Sequence, residues 1–192
     1  MPLQTLVLAS ASPRRRDLLS QIGINPIIVS SDAEELHDAN LTGRELCLIN
    51  AFRKAKAVSH TDPDHSILAA DTLVHLGASL YGKPRDLNEA VQMLTELSAQ
   101  THLVVTGVCL MHSRERRKKL FVETTLVTFH PLTRKQIELY LSKINPLDKA
   151  GGYAIQDHGE MIVKRIEGSY SNVVGLPLER LEQVWKDWLN GL

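Results

Sequence analysis

The run Leu6-Val-Leu-Ala-Ser10-Ala-Ser12-Pro13-Arg14-Arg15-Arg16 constrains this chain more than any other stretch. Val7, Leu8 and Ala9 read as a buried strand. Ser12 followed by Pro13 is an N-cap and first-turn pair: the serine oxygen accepts an otherwise unpaired amide, and proline's fixed φ suits the first helical position. Apolar residues then recur at helical spacing through Leu18, Leu19 and Ile22, and Gly23 is placed to end the helix. The chain therefore turns from strand to helix through serines and arginines. Free amides at a helix start beside arginines can hold a polyanion such as a triphosphate. An ordinary capped surface helix with solvated arginines uses the same residues.

A length of 192 residues suits one α/β domain with a full core, or two small lobes around a cleft. Lysine plus arginine and aspartate plus glutamate balance at 22 each, so nothing draws the chain as a whole to nucleic acid or a membrane. A polyanion must be met locally. Cys47 and Cys109 stand far apart in apolar contexts, which fits buried thiols in a reducing compartment better than a disulfide. No basic segment followed by a long apolar one opens the chain, and no apolar run reaches membrane-spanning length. A soluble, cytoplasmic protein without nucleic-acid or membrane partners is expected.

Strands and helices alternate without repeats. Ile27-Ile28-Val29 reads as a strand, and Thr42-Gly-Arg-Glu45 as a capping box opening a helix through Leu46, Ile49, Ala51, Phe52, Lys54 and Ala57, with Lys54 one turn after Asn50. Ser66 to Ala70 reads as a strand ending at Asp71-Thr72, followed by a hairpin from Val74 to Leu80 around Gly77 and a Gly82-Lys83-Pro84-Arg85 loop. A helix from Asn88 to Leu97, strands at His102–Met111 and Leu120–Phe129, and a helix capped by Thr133 and Gln136 follow. The basic run Arg114–Lys119 reads as a solvated hairpin tip. Leu178, Leu181, Val184, Trp185, Trp188 and Leu192 share one face of a final helix, the pattern of core packing.

In α/β proteins the ligand crevice lies beyond the carboxyl ends of strands, where this reading puts both Ser10–Arg16 and Asp71-Thr72. Asp71 is then a solvated turn residue, a metal ligand or a general base. Lys83 is surface decoration or a point charge on phosphate. In Asp148-Lys-Ala-Gly151-Gly152-Tyr-Ala-Ile-Gln156, adjacent glycines allow close approach to a ligand, and Gln156 offers a donor and an acceptor on one amide.

With Gly168-Ser-Tyr-Ser-Asn172-Val-Val-Gly-Leu-Pro177 added, the chain resembles the Maf family of nucleoside triphosphate pyrophosphatases. The carriers are Ser-x-Ser-Pro-Arg-Arg, Glu35, Lys54-Ala, Ala-Asp71-Thr, Gly-Lys83-Pro, Thr106-Gly-Val, Asp-Lys-Ala-Gly and Asn172-Val-Val-Gly-Leu-Pro, in the family's order over nearly the whole chain. The resemblance implies a single Maf-like domain over residues 1–192, a mixed α/β sheet with two lobes around a deep nucleotide-binding cleft, and commonly a homodimer. The first lobe would hold the N-terminal corner, Asp71 and the last helix, and the second much of the region from about Lys83 to Ile144. It also implies cleavage between α- and β-phosphates. Ser10, Arg15, Lys54 and Lys83 would surround the phosphates, Glu35 and Asp71 would work with Mg2+ or Mn2+ and the attacking water, and Asp71 would be the proton acceptor.

The branch that this chain resembles reads Ser-Pro-Arg-Arg, Ala-Asp-Thr and Tyr-x-Ile-Gln and is associated with dTTP and UTP. The branch acting on 7-methyl-GTP has tryptophan in place of Arg14 and glutamate in place of Gln156. Cationic methylated guanine suits an aromatic face and a carboxylate, whereas the N3–H and carbonyls of thymine or uracil suit one glutamine amide with Arg14 donating nearby. Thr72 belongs to the same set. The implied role is removal of dTTP, UTP or modified pyrimidine nucleotides in house-cleaning of nucleotide pools. Asp157-His158, where relatives often carry glycine, and the third arginine, Arg16, depart from the pattern. His37, His65, His75 and His158 read as surface or loop residues, and no zinc site is expected. Two rivals stand beside this reading: a nucleotide-binding regulator of cell division without turnover, and a pyrophosphatase for modified purine nucleotides. The carboxylates Glu35 and Asp71 favour an enzyme, because a mere binder of polyanions gains nothing from negative charge beside the ligand unless a metal intervenes.

Overall fold

A computed structural model describes residues 5–191. In chain order the elements are β1 (Leu6–Leu8), α1 (Pro13–Gln21), β2 (Ile27–Ile28), α2 (Gly43–Thr61), β3 (Ser66–Leu76), β4 (Ser79–Tyr81), α3 (Leu87–Leu97), β5 (Thr101–His112), β6 (Arg117–Phe129), α4 (Arg134–Leu141), β7 (Val163–Glu167), α5 (Tyr170–Val174) and α6 (Leu178–Asn190). The strands form a seven-stranded mixed sheet in the order β2-β1-β3-β5-β6-β7, with β4 added to β3. β1 runs parallel to β2 and β3, while the pairs β3–β4 and β6–β7 are antiparallel. The mixed α/β sheet expected from the sequence is the one that forms.

The chain divides into two compact units, Met1–Asp71 with Thr106–Glu123 and Gly175–Leu192, and Thr72–Val105 with Thr124–Val174. The second begins at Thr72 rather than near Lys83, returns residues 106–123 to the first, and runs on past Ile144 to Val174. The strands explain this difference, because β3, β5 and β6 are each long enough to belong to both units.

In the first unit, small side chains let α2 lie directly against the strands. Val7, Ala9, Ile67, Ala69 and Cys109 pack with Ala51, Ala55 and Val58 of α2. Gly107 shows how tight the contact is, since a β-carbon there would stand 2.4 Å from the carbonyl carbon of Cys47. Only glycine fits. Both cysteines are buried thiols, as their apolar contexts suggested. Thr42 and Glu45 close the capping box: the Thr42 hydroxyl oxygen accepts from the Glu45 amide and the Glu45 carboxylate accepts from the Thr42 amide. At the start of α1, Pro13 takes the first turn, but the Ser12 side chain makes no cap bond. Ser10 supplies the serine oxygen there, its Oγ accepting from the Ser12 amide at 3.2 Å. α1 ends at Gln21, and the amides of Gly23 and Ile24 return to the carbonyls of Ser20 and Leu19, a Schellman closure.

α6 buries Leu178, Leu181 and Trp188, while Val184 and Trp185 are half-buried and Leu192 lies outside the described residues. The Trp188 indole N–H donates to Ser66 Oγ at 2.9 Å. Arg117 stacks over the Trp188 ring at 4.3 Å and donates to its carbonyl at 2.7 Å. The basic hairpin tip is therefore shorter than the charge run: its turn covers residues 113–116, and β6 already starts at Arg117.

The second unit is built on large side chains. Leu94 and Leu97 of α3, Ile137 and Tyr140 of α4, Phe129 and Ile162 form its core. α3 is capped by Asp86, and α4 by the Thr133–Gln136 box. His102, 1% exposed, meets the edges of Phe129 and Tyr153, and its Nε2 pairs with the Tyr153 hydroxyl at 2.9 Å. Its Nδ1 has no partner among the described residues, and burial pulls the imidazole pKa down to about 4.

Candidate active site

The polar residues of the first unit meet at α2. Asn50 and Lys54 are four apart, so they share one face of the helix and project in the same direction. Asp71 comes from the neighbouring strand, and Glu35 from residues 30–38, which form neither helix nor strand. Asp71 lies inside β3 rather than at its end, because Thr72, Leu73 and Val74 continue the strand and Val74 pairs with Tyr81 of β4. A single charge among β-forming residues did not stop the strand.

Lys54 Nζ donates to Glu35 Oε1 and to Asp71 Oδ1, both at 2.6 Å. One ammonium thus joins the two carboxylates. Its side chain is 14% exposed, Asp71 8% and Glu35 36%, so the Asp71 contact is the dry one. Asn50 Nδ2 donates to Asp71 Oδ2 at 3.3 Å, giving each oxygen of that carboxylate its own donor on α2. The corner after β1 adds Arg15, whose Nη1 donates to Ser10 Oγ at 3.1 Å and whose Nε donates to the Gly175 carbonyl at 2.9 Å. Desolvation lowers the Arg15 pKa, with Asp71 and Glu35 opposing the shift. Arginine stays charged under any such shift and forms a fixed cation. Arg14, half-buried, precedes it on the first turn of α1.

The first unit therefore brings Ser10, Arg15, Glu35, Lys54 and Asp71 together, with Arg14 adjacent. Two carboxylates converging on one cationic centre form an all-oxygen donor set, which fits Mg2+ or Mn2+. Among the described residues no group of three or more His, Cys, Asp or Glu gathers to hold a metal. A hard cation bound by two carboxylates completes its shell with phosphate oxygens and water.

Thr72, Lys83 and Gln156 belong to the second unit. Thr72 follows Asp71 on β3, so its side chain leaves the opposite face of the strand. Lys83 is exposed in the loop after β4, where the neighbouring Gly82 carbonyl accepts from the Gly151 amide at 2.9 Å. Gln156 is exposed beyond the buried run Tyr153-Ala154-Ile155. Gly151 and Gly152 both have φ of +71°, and a β-carbon on Gly151 would come within 2.9 Å of Val74. Gly151 thereby packs closely against β3. Asn172, another motif residue, donates to the Val104 carbonyl and to Thr125 Oγ1, each at 3.0 Å, and so ties α5 to the sheet. Asn50 is the site residue that sequence reasoning passed over. Its spacing from Lys54 was visible, but its partners lie in chain segments that only the fold brings near.

The profile of the Maf-like protein family matches residues 5–188. A protein of Akkermansia muciniphila named dTTP/UTP pyrophosphatase is 46% identical over 187 residues, covering 97% of this chain and 96% of that relative. Relatives with the same name from Myxococcus xanthus and Bacillus velezensis are 48% identical over 173 residues and 41% over 183, covering 90% and 95% of this chain and 87% and 96% of their own length. Among solved structures, the Staphylococcus aureus Ham1 protein superposes with a TM-score of 0.48 at 15% identity, covering 66% of this chain and 72% of that one.

Proposed function

The chain belongs to the Maf-like protein family, and from that footing we propose that it is a nucleoside triphosphate pyrophosphatase, one domain from end to end, that hydrolyses dTTP and UTP to the monophosphate and pyrophosphate. The observation that carries the reading is the pair Glu35 and Asp71 joined by one ammonium beside the Arg15–Ser10 corner. Water is a weak nucleophile at neutral pH, and a triphosphate brings concentrated negative charge. The first difficulty asks for a carboxylate base and the second for cations.

Asp71, held at both oxygens, accepts the proton of the attacking water. Glu35 and Asp71 would hold a divalent cation, Mg2+ or Mn2+, which when bound would offset charge on the phosphate oxygens. Arg15 and Ser10 orient the triphosphate, with Lys54 and Lys83 as further charges on it. Once a cation or phosphate is present, Lys54 is free to trade a carboxylate for a phosphate oxygen, since both are anionic acceptors. Gln156 reads the N3–H and O4 edge of the base, Arg14 donates to a carbonyl, and Thr72 contributes to the same recognition. Free nucleotides in the cytoplasm are the substrates, and the enzyme acts singly or as a homodimer. No helix of the described residues is long and apolar enough to cross a membrane.

A nucleotide panel of dTTP, UTP, dCTP, GTP and 7-methyl-GTP with magnesium or manganese, read by pyrophosphate release, tests this function. dTTP and UTP are expected to lead. A folded Asp71→Asn protein should lose about 100-fold or more in turnover, because the amide cannot accept the proton. Purine triphosphates turning over fastest, or Asp71→Asn near parental activity, would refute the assignment.

A further inference from the structure

Glu35 has no regular element to hold it in place. Residues 30–38 form neither helix nor strand, and a carboxylate on such a segment drifts unless its backbone is tied. Asn50 ties it. The Leu36 amide donates to Asn50 Oδ1 at 2.7 Å, and Asn50 Nδ2 donates to the Leu36 carbonyl at 3.2 Å. Asn50 thus pairs with the peptide groups flanking Leu36 as a neighbouring strand would. The remaining Nδ2 hydrogen serves Asp71 Oδ2 at 3.3 Å. A carboxamide has one oxygen acceptor and two N–H donors, and here every one is used, on a residue only 3% exposed.

The geometry points to Asn50 as a positioning residue for the proposed hydrolysis. It fixes Glu35 through the adjoining peptide and sets the plane of Asp71, so that the two carboxylates face one cation. Lys54 reaches the same pair, but as a charge that a metal or phosphate can replace. Asn50 is neutral, and its bonds to the Leu36 backbone persist when the ions around the carboxylates change. It keeps the spacing of Glu35 and Asp71 constant through the cycle. The nearly isosteric leucine fills the same volume and makes none of the three bonds.

This assignment rests on the function proposed above, so its test reads structure and catalysis separately. Hydrogen exchange at the Leu36 amide is measured in the free parent and in Asn50→Leu, followed by dTTP kinetics and manganese titration of both. Asn50→Ser, which adds no bulk, carries the same test should Asn50→Leu not fold. The expected result is loss of Leu36 protection, kcat lower by about 10- to 100-fold and half-saturating manganese higher by a similar factor, as for residues that orient metal ligands. KM for dTTP at saturating manganese should change by less than about 3-fold, since no phosphate contact is removed. A Leu36 amide as protected as in the parent, or kcat within about 2-fold of it, overturns the assignment. A parent inert toward every triphosphate would sink the function instead, and Leu36 exchange alone would still decide whether Asn50 is the tether.

Discussion

Replacing Lys54 by methionine keeps most of its volume and removes the charge between Glu35 and Asp71. At 2.6 Å each contact carries a gross attraction of about 6 kcal/mol at an effective dielectric of 20, most of it cancelled by the cost of drying the ions. Removing one partner of a buried pair costs about 3–5 kcal/mol, because the other charge is left uncompensated. The Asp71 side chain is 8% exposed and qualifies, whereas Glu35 at 36% is discounted for screening by water. That leaves about 3 kcal/mol for Lys54→Met. For a chain of 192 residues this lowers Tm by about 6–12 °C. The two carboxylates then face each other with no resident cation, so magnesium or manganese should bind the free variant at least about 10-fold tighter than the free parent. At saturating metal this returns about 1.4 kcal/mol relative to the parent. Thermal unfolding followed by circular dichroism, with and without the metal, measures both effects. A variant with the parent's metal-free Tm, or an equal metal-induced shift in the two proteins, would refute the reasoning.

Three further outcomes are expected. Gln156→Glu should weaken dTTP and UTP by roughly 1–3 kcal/mol in kcat/KM, since a carboxylate meets O4 with another acceptor, and adding Arg14→Trp should raise turnover of 7-methyl-GTP. Kinetics across the nucleotide panel check this, and an unchanged preference order would place base recognition elsewhere. Gly107→Ala should cost about 2–3 kcal/mol in urea unfolding, because the added carbon meets helix backbone that cannot swing aside. His102 is held neutral in the fold, with a pKa of about 4 against the ordinary 6.5, so the unfolded chain binds the extra proton first. Its contribution is complete above pH 6.5 and is lost at about 1.4 kcal/mol per unit as pH falls toward 4, a slope that His102→Gln should flatten in unfolding titrations.

What was legible in the sequence was local. Thr42 and Glu45 announce the start of α2, Thr133 and Gln136 that of α4, and Gly77 the β3–β4 turn, each through contacts a few residues apart. Asp71 was misplaced because a lone charge after an apolar run resembles a strand end, whereas the pairing of β3 with β4 carries the strand beyond it. The sequence puts the serine oxygen at α1 on Ser12, whereas in the fold Ser10 Oγ accepts from the Ser12 amide and from Arg15 Nη1, a contact set by the turn rather than by residue type. Arg117 reads as surface charge until α6 brings Trp188 beneath it. Asn50 was visible only as a polar residue on a helix, because its partners at Leu36 and Asp71 are 14 and 21 residues away. Neither spacing nor composition encodes such a contact.

The central claim is the bond that breaks, and product analysis tests it directly. Incubation with dTTP and magnesium, resolved by phosphorus NMR, should give dTMP and pyrophosphate in equal amounts from the earliest time points, with neither dTDP nor orthophosphate rising alongside them. Appearance of dTDP with orthophosphate would place cleavage at the terminal phosphate and contradict the account.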